Sequence, residues 1–422
     1  MTLREELKEQ VVRIEEMLEK VPEPMARKLR EHLGELRELL LEQRPPRFVL
    51  VGRRGAGKSS LVNAIFGEPV AEVGHEKATT ARGTWWGYEG ALGTLEMLDT
   101  RGLQEGSAPD EARAEESAQQ SIARAIEEKA PDALLFLIKA KEVDAAVDGD
   151  LDGLETVSQQ VRELYGYRVP LVAVITHCDE LEPKNVRLHE PEEEDSEELQ
   201  EKLARVRRVE QDLAQKIRGR AALRDQLVGV HGVSAYQSWR RDGTRRADER
   251  WRVEELLDFL LDELPEQARV EFVRLSQVRG LQHRMADRLT TVVSGITAGV
   301  ALTPLPLADI GPITSLQVSL VVGIGYVAGR RLELRTAGEF LGALGANVGA
   351  AMAFREVARG LVKVLPGFGS AVSAAVAFAG TRGVGRASAA YFIDGVSTEQ
   401  ARKLFKKARR DAEAEYESEH GE

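Results

Sequence analysis

Eight consecutive residues near the start of the chain have the types and the spacing that bind phosphate. Residues 52–59 read GRRGAGKS, which matches G-x-x-x-x-G-K-[ST] and lies between the apolar run FVLV and the helical pattern SLVNAIFG. Glycine lets the backbone wrap around phosphate oxygens with its N–H groups pointing inward, and the following helix adds the positive end of its dipole. Lys58 is placed to neutralise two phosphates, and the Ser59 hydroxyl is placed to bind Mg²⁺. The predicted phosphate contacts are Gly52, Arg53, Arg54, Gly55, Ala56, Gly57, Lys58, Ser59 and Ser60.

A second pattern, D-x-x-G, supplies further candidates around the metal. Asp99 and Gly102 form it directly after the apolar run TLEML, so that Asp99 reaches Mg²⁺ through water and the Gly102 N–H faces the γ-phosphate. Thr79 and Thr80 lie in the preceding connection, where a threonine hydroxyl closes the metal shell only when a γ-phosphate is present. We favour Thr80, with little to separate the two. The predicted metal ligands are Ser59, Thr80 and Asp99, and the predicted catalytic residues are Lys58, Thr80 and Gly102.

A third pattern selects the base. Residues 176–179 read THCD after the apolar run LVAVI, at the place where guanine-binding proteins carry [NT]-K-x-D. The carboxylate of Asp179 can accept hydrogen bonds from guanine N1–H and from the exocyclic amine, and adenine offers no such pair. Thr176 is predicted to tie this loop to the phosphate loop. His177 stands where a lysine stem usually covers one face of the base.

A fourth pattern follows the last apolar run of this region. Ser234 and Ala235 come directly after Val233, and they are predicted to offer a backbone N–H to guanine O6. Four patterns in this order, each at the end of an apolar run, predict GTP and GDP as the ligands.

The elements that hold these residues are indicated by alternating short apolar runs and helical stretches. The runs are typical of strands buried on both faces of a largely parallel sheet, and residues 84–88 add an antiparallel edge. The predicted strands cover residues 48–52, 94–98, 133–138, 171–175 and 227–233. We therefore predict a doubly wound α/β sheet at 46–264 with an acidic insertion near 182–224. N-terminal helices at 1–45 and an apolar helical domain with an acidic tail at 265–422 flank it.

Composition sets limits on the function. The chain has 422 residues, 43% hydrophobic and 30% charged, as expected of a globular protein. Its net charge of −11 disfavours general binding of nucleic acid. The single cysteine, Cys178, excludes an intramolecular disulfide and a Cys-rich zinc site, and it fits a reducing, cytoplasmic location.

The C-terminal region leaves its relation to membranes open. Residues 291–329 carry a single charge, Asp309, and residues 310–329 are about long enough to span a bilayer. Three alternatives remain: helices that span an inner membrane with a turn at 304–312, helices that touch lipid at its surface, and the buried core of a helical bundle. Glycines such as Gly342 and Gly345 would permit close helix contacts in any of them.

Residues 47–264 resemble the P-loop GTPases of the Era/TrmE/EngA-like group. The resemblance lies in GRRGAGKSSLVNAIFG, the threonine pair, LDTRGL, VITHCDEL and GVSA. It implies hydrolysis of GTP to GDP. Gly55 stands where potassium-dependent relatives have asparagine, and Leu103 stands where Ras-like enzymes have the glutamine that positions water. These departures imply slow intrinsic turnover that self-association or a partner accelerates.

Residues 290–393 resemble, less specifically, a YcjF-like helical domain of uncharacterised function, which implies membrane association. The leading hypothesis is therefore a GTPase whose nucleotide state switches helical domains at a membrane surface. A dynamin-like self-assembling membrane remodeller is the first alternative. A ribosome- or RNA-associated assembly GTPase is the second, disfavoured by the acidic charge.

Overall fold

The computed structural model describes residues 3–19, 23–71, 84–100, 118–144, 147–192, 196–302, 311–345 and 368–420. The chain divides into two compact units. One is Pro45–Pro265, and the other combines Met1–Arg44 with Glu266–Glu422. The helices that precede the sheet in sequence thus belong to the same unit as the helices that follow it.

The sheet unit is built on six strands in the order β2-β3-β1-β4-β5-β6. They are β1 (Arg47–Val51), β2 (Trp85–Glu89), β3 (Thr94–Asp99), β4 (Ala133–Lys139), β5 (Leu171–Thr176) and β6 (Leu227–Gly232). Every neighbouring pair is parallel except β2 and β3, which are antiparallel. The predicted doubly wound sheet with an antiparallel edge strand is therefore confirmed.

Helices and one small hairpin complete the two units. The sheet unit carries α3 (Lys58–Phe66), α4 (Ala118–Glu128), α5 (Val147–Tyr165), α6 (Ser196–Gly219), α7 (Val253–Glu263) and the hairpin β7 (Gln237–Trp239) and β8 (Arg245–Asp248). The helical unit carries α1 (Leu3–Leu18), α2 (Glu23–Leu40), α8 (Glu266–Ser276), α9 (Arg279–Leu302), α10 (Gly311–Val327), α11 (Leu334–Leu344), α12 (Phe368–Phe392) and α13 (Thr398–His420).

The core of the sheet unit explains why its strands read as unbroken apolar runs. Every residue of β5 is buried, as is every residue of β4 except Lys139 at its end, because helices cover both faces of a parallel sheet. The carboxyl ends of β1, β3, β4 and β5 meet at one edge, since these strands run in the same direction. Ligands of such sheets bind at that edge.

The apolar helices of the helical unit pack against each other around a buried polar layer. The hydroxyl groups of Thr297 on α9 and Thr381 on α12 lie 3.0 Å apart, and the Gln317 amide on α10 donates to Thr381 at 3.2 Å. All three side chains are buried. Because a buried polar group is costly without its partners, this layer specifies how the three helices align.

No described helix combines the length and the apolarity that crossing a membrane requires. The candidate span at 310–329 corresponds to α10, which is 17 residues long. Residues 303–310, which include most of the predicted turn, lie outside the described residues.

Close helix contacts occur at glycines other than those singled out from the sequence. A Cβ on Gly342 would meet no atom within 4 Å, and Gly345 ends α11 in a left-handed conformation. The close approach is at Gly385 on α12, where an added Cβ would lie 2.7 Å from Cβ of Thr290 on α9. Gly342 and Gly345 thus do not mark close helix contacts within this unit.

This contrast gives a matched pair of variants. Gly385→Ala should destabilise the helical unit by about 1–3 kcal/mol, because the methyl group overpacks the α9–α12 contact. Gly342→Ala should stabilise it by about 0.5–1 kcal/mol, because alanine favours an exposed helix and nothing obstructs it. Chemical denaturation followed by circular dichroism measures both changes. Midpoints that shift in the same direction for the two variants would contradict the packing described.

Candidate functional site

The phosphate loop connects β1 to α3 with a backbone that only glycine adopts easily. Gly52, Gly55 and Gly57 have φ angles of 156°, 78° and 88°. A Cβ on Gly52 would collide with the carbonyl oxygen of Leu137, and one on Gly57 would lie 3.1 Å from Cγ2 of Thr176. The spacing of these glycines thus sets the tight course of the chain into the helix.

Lys58 occupies the centre of this loop and is only 8% exposed. Its Nζ donates to the carbonyl oxygen of Gly52 and, at 3.0 Å, to that of Arg53. The same Nζ lies 3.9 Å from a carboxylate oxygen of Asp99, at the end of β3. The loop therefore holds a buried ammonium group beside a helix N-terminus, an arrangement that suits the oxygens of a di- or triphosphate.

The predicted metal ligands fall into two groups. Ser59 stands in the first turn of α3, and Asp99 ends the strand that pairs with β1 in the register Leu50–Asp99. Hydroxyl and carboxylate oxygens are the donors that Mg²⁺ takes, and few protein ligands are needed where phosphates and water complete the shell, so the residues fit this ion. Thr79, Thr80, Arg101, Gly102 and Leu103 lie outside the described residues.

The base loop is joined directly to the phosphate loop. The Thr176 hydroxyl donates to the carbonyl oxygen of Ala56 at 2.9 Å, which is the predicted tie between the two loops. His177 follows with a φ of 57°, and its Nδ1 lies 2.9 Å from Thr176 Oγ1. Because the Thr176 O–H donates to Ala56, Oγ1 accepts from His177, which places the proton of the neutral ring on Nδ1. Burial lowers the pKa of His177, which favours the neutral ring.

The second base-contacting loop follows β6. The Ser234 N–H donates to the Trp251 carbonyl oxygen at 3.1 Å, and the Trp251 N–H donates back at 2.9 Å. Since the Ser234 N–H is already bonded, the backbone N–H of Ala235 is the candidate donor to guanine O6. The Ser234 hydroxyl is buried and has no hydrogen-bond partner among the described residues.

Two further residues near the site belong to no motif that could be recognised in the sequence. Asp150, on the buried face of α5, accepts a hydrogen bond from Nε of Arg53 at 2.7 Å. Its burial raises the pKa, an effect that Arg53 opposes. Asn63 exchanges two hydrogen bonds with the backbone of Ala71, at 2.8 and 2.7 Å. It thereby fixes the point from which the connection to Thr80 starts.

The buried Cys178 supplies a test of how closed the base loop is. Burial raises the pKa of its thiol from 9.0 to about 12. Near pH 8 the thiolate fraction, and with it alkylation by iodoacetamide, should fall about a thousandfold below that of an exposed cysteine. Mass spectrometry of the native and the denatured protein measures the two rates. Equal rates would show that the loop between β5 and α6 is open.

Comparisons with known proteins agree on the nature of this unit. A family model described as "50S ribosome-binding GTPase" matches residues 47–177. GTPase Der of Lacticaseibacillus casei (strain BL23) is 38% identical over 96 residues, which are 23% of this chain and 21% of Der. Der of Lacticaseibacillus paracasei (strain ATCC 334) matches with the same identity and extent. The matched stretch thus spans about a fifth of the length of these relatives.

Among solved structures, Era from Aquifex aeolicus bound to GDP·AlF4⁻ is 17% identical, covering 61% of this chain and 68% of Era with a TM-score of 0.29. A member of an oligomerised bacterial dynamin pair is 12% identical, covering 98% of this chain and 73% of the other with a TM-score of 0.34. Scores this low do not establish a shared fold for the whole chain. The family model and the Der match together support the resemblance read from the sequence: residues 47–177 match a P-loop GTPase domain, and part of the chain is similar to Der.

Proposed function

We propose that the protein binds GTP and hydrolyses it to GDP with Mg²⁺. The observation that carries this proposal is the hydrogen bond from Thr176 to Ala56, because it joins the phosphate loop and the base loop into one site. Lys58 neutralises the phosphates from within the loop, and Asp179 reads the guanine edge. Its carboxylate is exposed beside the loop and is available to a base.

Each polar group then has one task. Mg²⁺ would neutralise phosphate charge when bound, and among the described residues Ser59 would hold it directly and Asp99 through water. The Lys58 ammonium exchanges its contacts with backbone carbonyl oxygens for phosphate oxygens. Thr80 and Gly102 are proposed to sense the γ-phosphate, the first through its hydroxyl and the second through its N–H.

The proposed turnover is slow without assistance. Leu103 cannot orient a water molecule as glutamine does, and Gly55 does not provide the asparagine of potassium-dependent relatives. Self-association or a partner would then accelerate hydrolysis. Arg53 donates through Nε to Asp150, which holds the guanidinium beside the loop, and its terminal N–H groups are proposed to stabilise developing negative charge.

Measuring phosphate release tests the reaction. GTP with Mg²⁺ should give slow release that chelation of the metal abolishes, and ATP should give none. The rate per molecule should rise with protein concentration if self-association accelerates the reaction. Equal release from ATP and GTP would contradict the proposal, because Asp179 would then have no part in selecting the base.

The nucleotide state is further proposed to switch the helical unit at a membrane surface. That unit comes from both ends of the chain, so the sheet unit is joined to it by two connections, after Arg44 and after Pro265. Apolar helices cost about 25 cal/mol per Å² when they are exposed to water, and their default state is therefore covered. GTP can shift these helices to an exposed form only to the extent that it binds the protein more tightly in that form than in the covered form.

Hydrogen exchange with liposomes present tests this switch. Residues 291–329 and 364–381 should be more protected with GDP than with a non-hydrolysable GTP analogue. Identical protection in both states would make these helices a static core. The same comparison in the absence of liposomes separates lipid contact from contact with a second protomer.

Association with the ribosome is the second candidate function. It is favoured by the description of the matching family model, "50S ribosome-binding GTPase", and disfavoured by the net charge of −11. Co-sedimentation with ribosomes and with liposomes, each with GTP and with GDP, separates this role from membrane contact or dynamin-like assembly. Nucleotide-dependent pelleting with ribosomes alone would replace the membrane proposal.

A further inference from the structure

Helix α6, part of the acidic insertion after the base loop, carries a lysine that no solvent reaches. Lys202 is 0% exposed, although its neighbours on the helix are mostly charged and solvated. Its Nζ donates to three backbone carbonyl oxygens, those of Asp179 at 2.7 Å, Pro183 at 3.1 Å and Val186 at 2.8 Å. An ammonium group has three N–H donors, and all three are bonded to the short segment at 179–186.

That segment begins at the residue proposed to read the base. Lys202 binds the carbonyl oxygen of Asp179, while the Asp179 carboxylate remains exposed. The two further bonds hold the chain where it leaves the base loop. A lysine is costly to bury, and this one is placed where it fixes the backbone from which a base-reading carboxylate projects.

A second charged residue of α6 holds the other base-contacting loop. Glu210, eight positions after Lys202, accepts a hydrogen bond from the Gly232 N–H at 2.7 Å and another from Arg252 at 2.8 Å. Gly232 ends β6, two residues before Ser234. Val206 lies between the two charged residues on the same face of α6, and a Cβ on Gly232 would lie 2.8 Å from its Cγ1.

We propose that α6 sets the guanine specificity of the site, with Lys202 and Glu210 as positioning residues for the two loops that contact the base. This inference rests on the proposed binding of guanine nucleotides. Neither side chain touches the nucleotide in this arrangement. Lys202 acts through the backbone of Asp179, and Glu210 acts through Gly232 on the chain that leads to Ala235.

The test compares two nucleotides that differ only at the exocyclic amine, one of the two groups that Asp179 is proposed to recognise. IDP lacks the exocyclic amine of GDP. The native protein should therefore bind GDP about ten- to a hundredfold more tightly, which is the factor in affinity that one hydrogen bond to a charged group contributes. Lys202→Met keeps the length of the side chain but removes its donors. The ratio of the two dissociation constants should fall at least threefold towards one, because the carboxylate is no longer held in place.

Lys216→Met is the matched control, since Lys216 lies on the same helix but donates to the carbonyl oxygen of Val143 at 2.7 Å. It should leave the ratio unchanged. A merely structural role for Lys202 would weaken the binding of GDP and IDP equally and would also leave the ratio unchanged. A readout based on the ratio therefore distinguishes positioning from general destabilisation.

Glu210→Ala tests the second contact and keeps the inference testable if Lys202→Met does not fold. It should lower the affinity for GDP at least fivefold more than the affinity for ADP, because only guanine carries the O6 that the second loop binds, whereas general destabilisation would weaken both nucleotides equally. An unchanged ratio of the GDP and ADP affinities in Glu210→Ala, or an unchanged ratio of the GDP and IDP affinities in a folded Lys202→Met, would overturn the role of α6. Equal binding of GDP and IDP by the native protein would instead overturn the proposed guanine site, and the inference would fall with it.

Discussion

Replacing Lys58 with alanine is expected to lower the affinity for GDP and GTP at least a hundredfold and to leave the fold intact. Its Nζ is buried and donates to the carbonyl oxygens of Gly52 and Arg53, from which it can turn to the phosphates. Each hydrogen bond to a charged group contributes about 1.5–3 kcal/mol, and two phosphates share this ammonium. Fluorescence titration with a labelled GDP measures the loss.

Lys129→Ala is the matched control for this substitution. Lys129 follows α4 and pairs with Glu96 at 2.8 Å, so the variant loses one charge in the same unit without touching the loop. It should bind GDP as the native protein does. If Lys58→Ala retained native affinity, the loop at 52–59 would be a structural turn and the assignment of the phosphate site would be wrong.

Replacing Asp179 with asparagine is expected to exchange guanine for xanthine as the preferred base. The amide presents a donor where the carboxylate presented an acceptor, and xanthine carries a carbonyl oxygen where guanine carries its amine. We expect the affinity for GDP to fall at least tenfold and that for XDP to rise by a similar factor. Each factor corresponds to the free energy of about one hydrogen bond to a charged group, lost with GDP and gained with XDP. Competition between the two nucleotides measures the exchange.

Glu180→Gln separates this effect from a change of charge alone. Glu180 is the next residue and pairs with Lys141 at 3.1 Å, so its substitution removes one negative charge from the same loop. The preference for GDP should persist in that variant. A preference for GDP that survived in Asp179→Asn would mean that another group reads the base.

The sheet and the phosphate loop could be predicted from local patterns because their causes are local. Unbroken apolar runs such as those of β4 and β5 arise wherever a strand is covered on both faces. The glycines of residues 52–59 are spaced by the φ angles of one loop. Asp99 and Thr176 could also be placed, since each ends such a run and parallel strands end at a common edge.

The remaining features depend on contacts between distant parts of the chain. Lys202 has the sequence context of a solvated helix, and only the fold shows that its ammonium meets three carbonyl oxygens. Asp150 likewise lies in an amphipathic helix whose register against the loop is not visible in the sequence. Residues 239–252 have the mixed charges typical of a solvated loop, yet they include β8, and Arg250 there donates to the carbonyl oxygen of Ala64 on α3 at 3.0 Å.

The pairs of helices that contact each other could not be predicted for the same reason. Arg288 on α9 pairs with Glu35 on α2 at 2.8 Å, although more than half of the chain separates them. A Cβ on Gly295 would also lie 2.7 Å from the His32 ring. Helical periodicity shows that a face is apolar but does not identify the helix that covers it.

The central claim is that one site binds phosphate and guanine together, and calorimetric titration of the native protein with GDP and with ADP in Mg²⁺ tests it most directly. The account predicts one GDP per chain and binding of ADP that is at least a hundredfold weaker, because Asp179 offers an acceptor that adenine cannot use. Binding of both nucleotides with similar affinity would contradict the guanine site, and binding of neither would contradict the site as a whole.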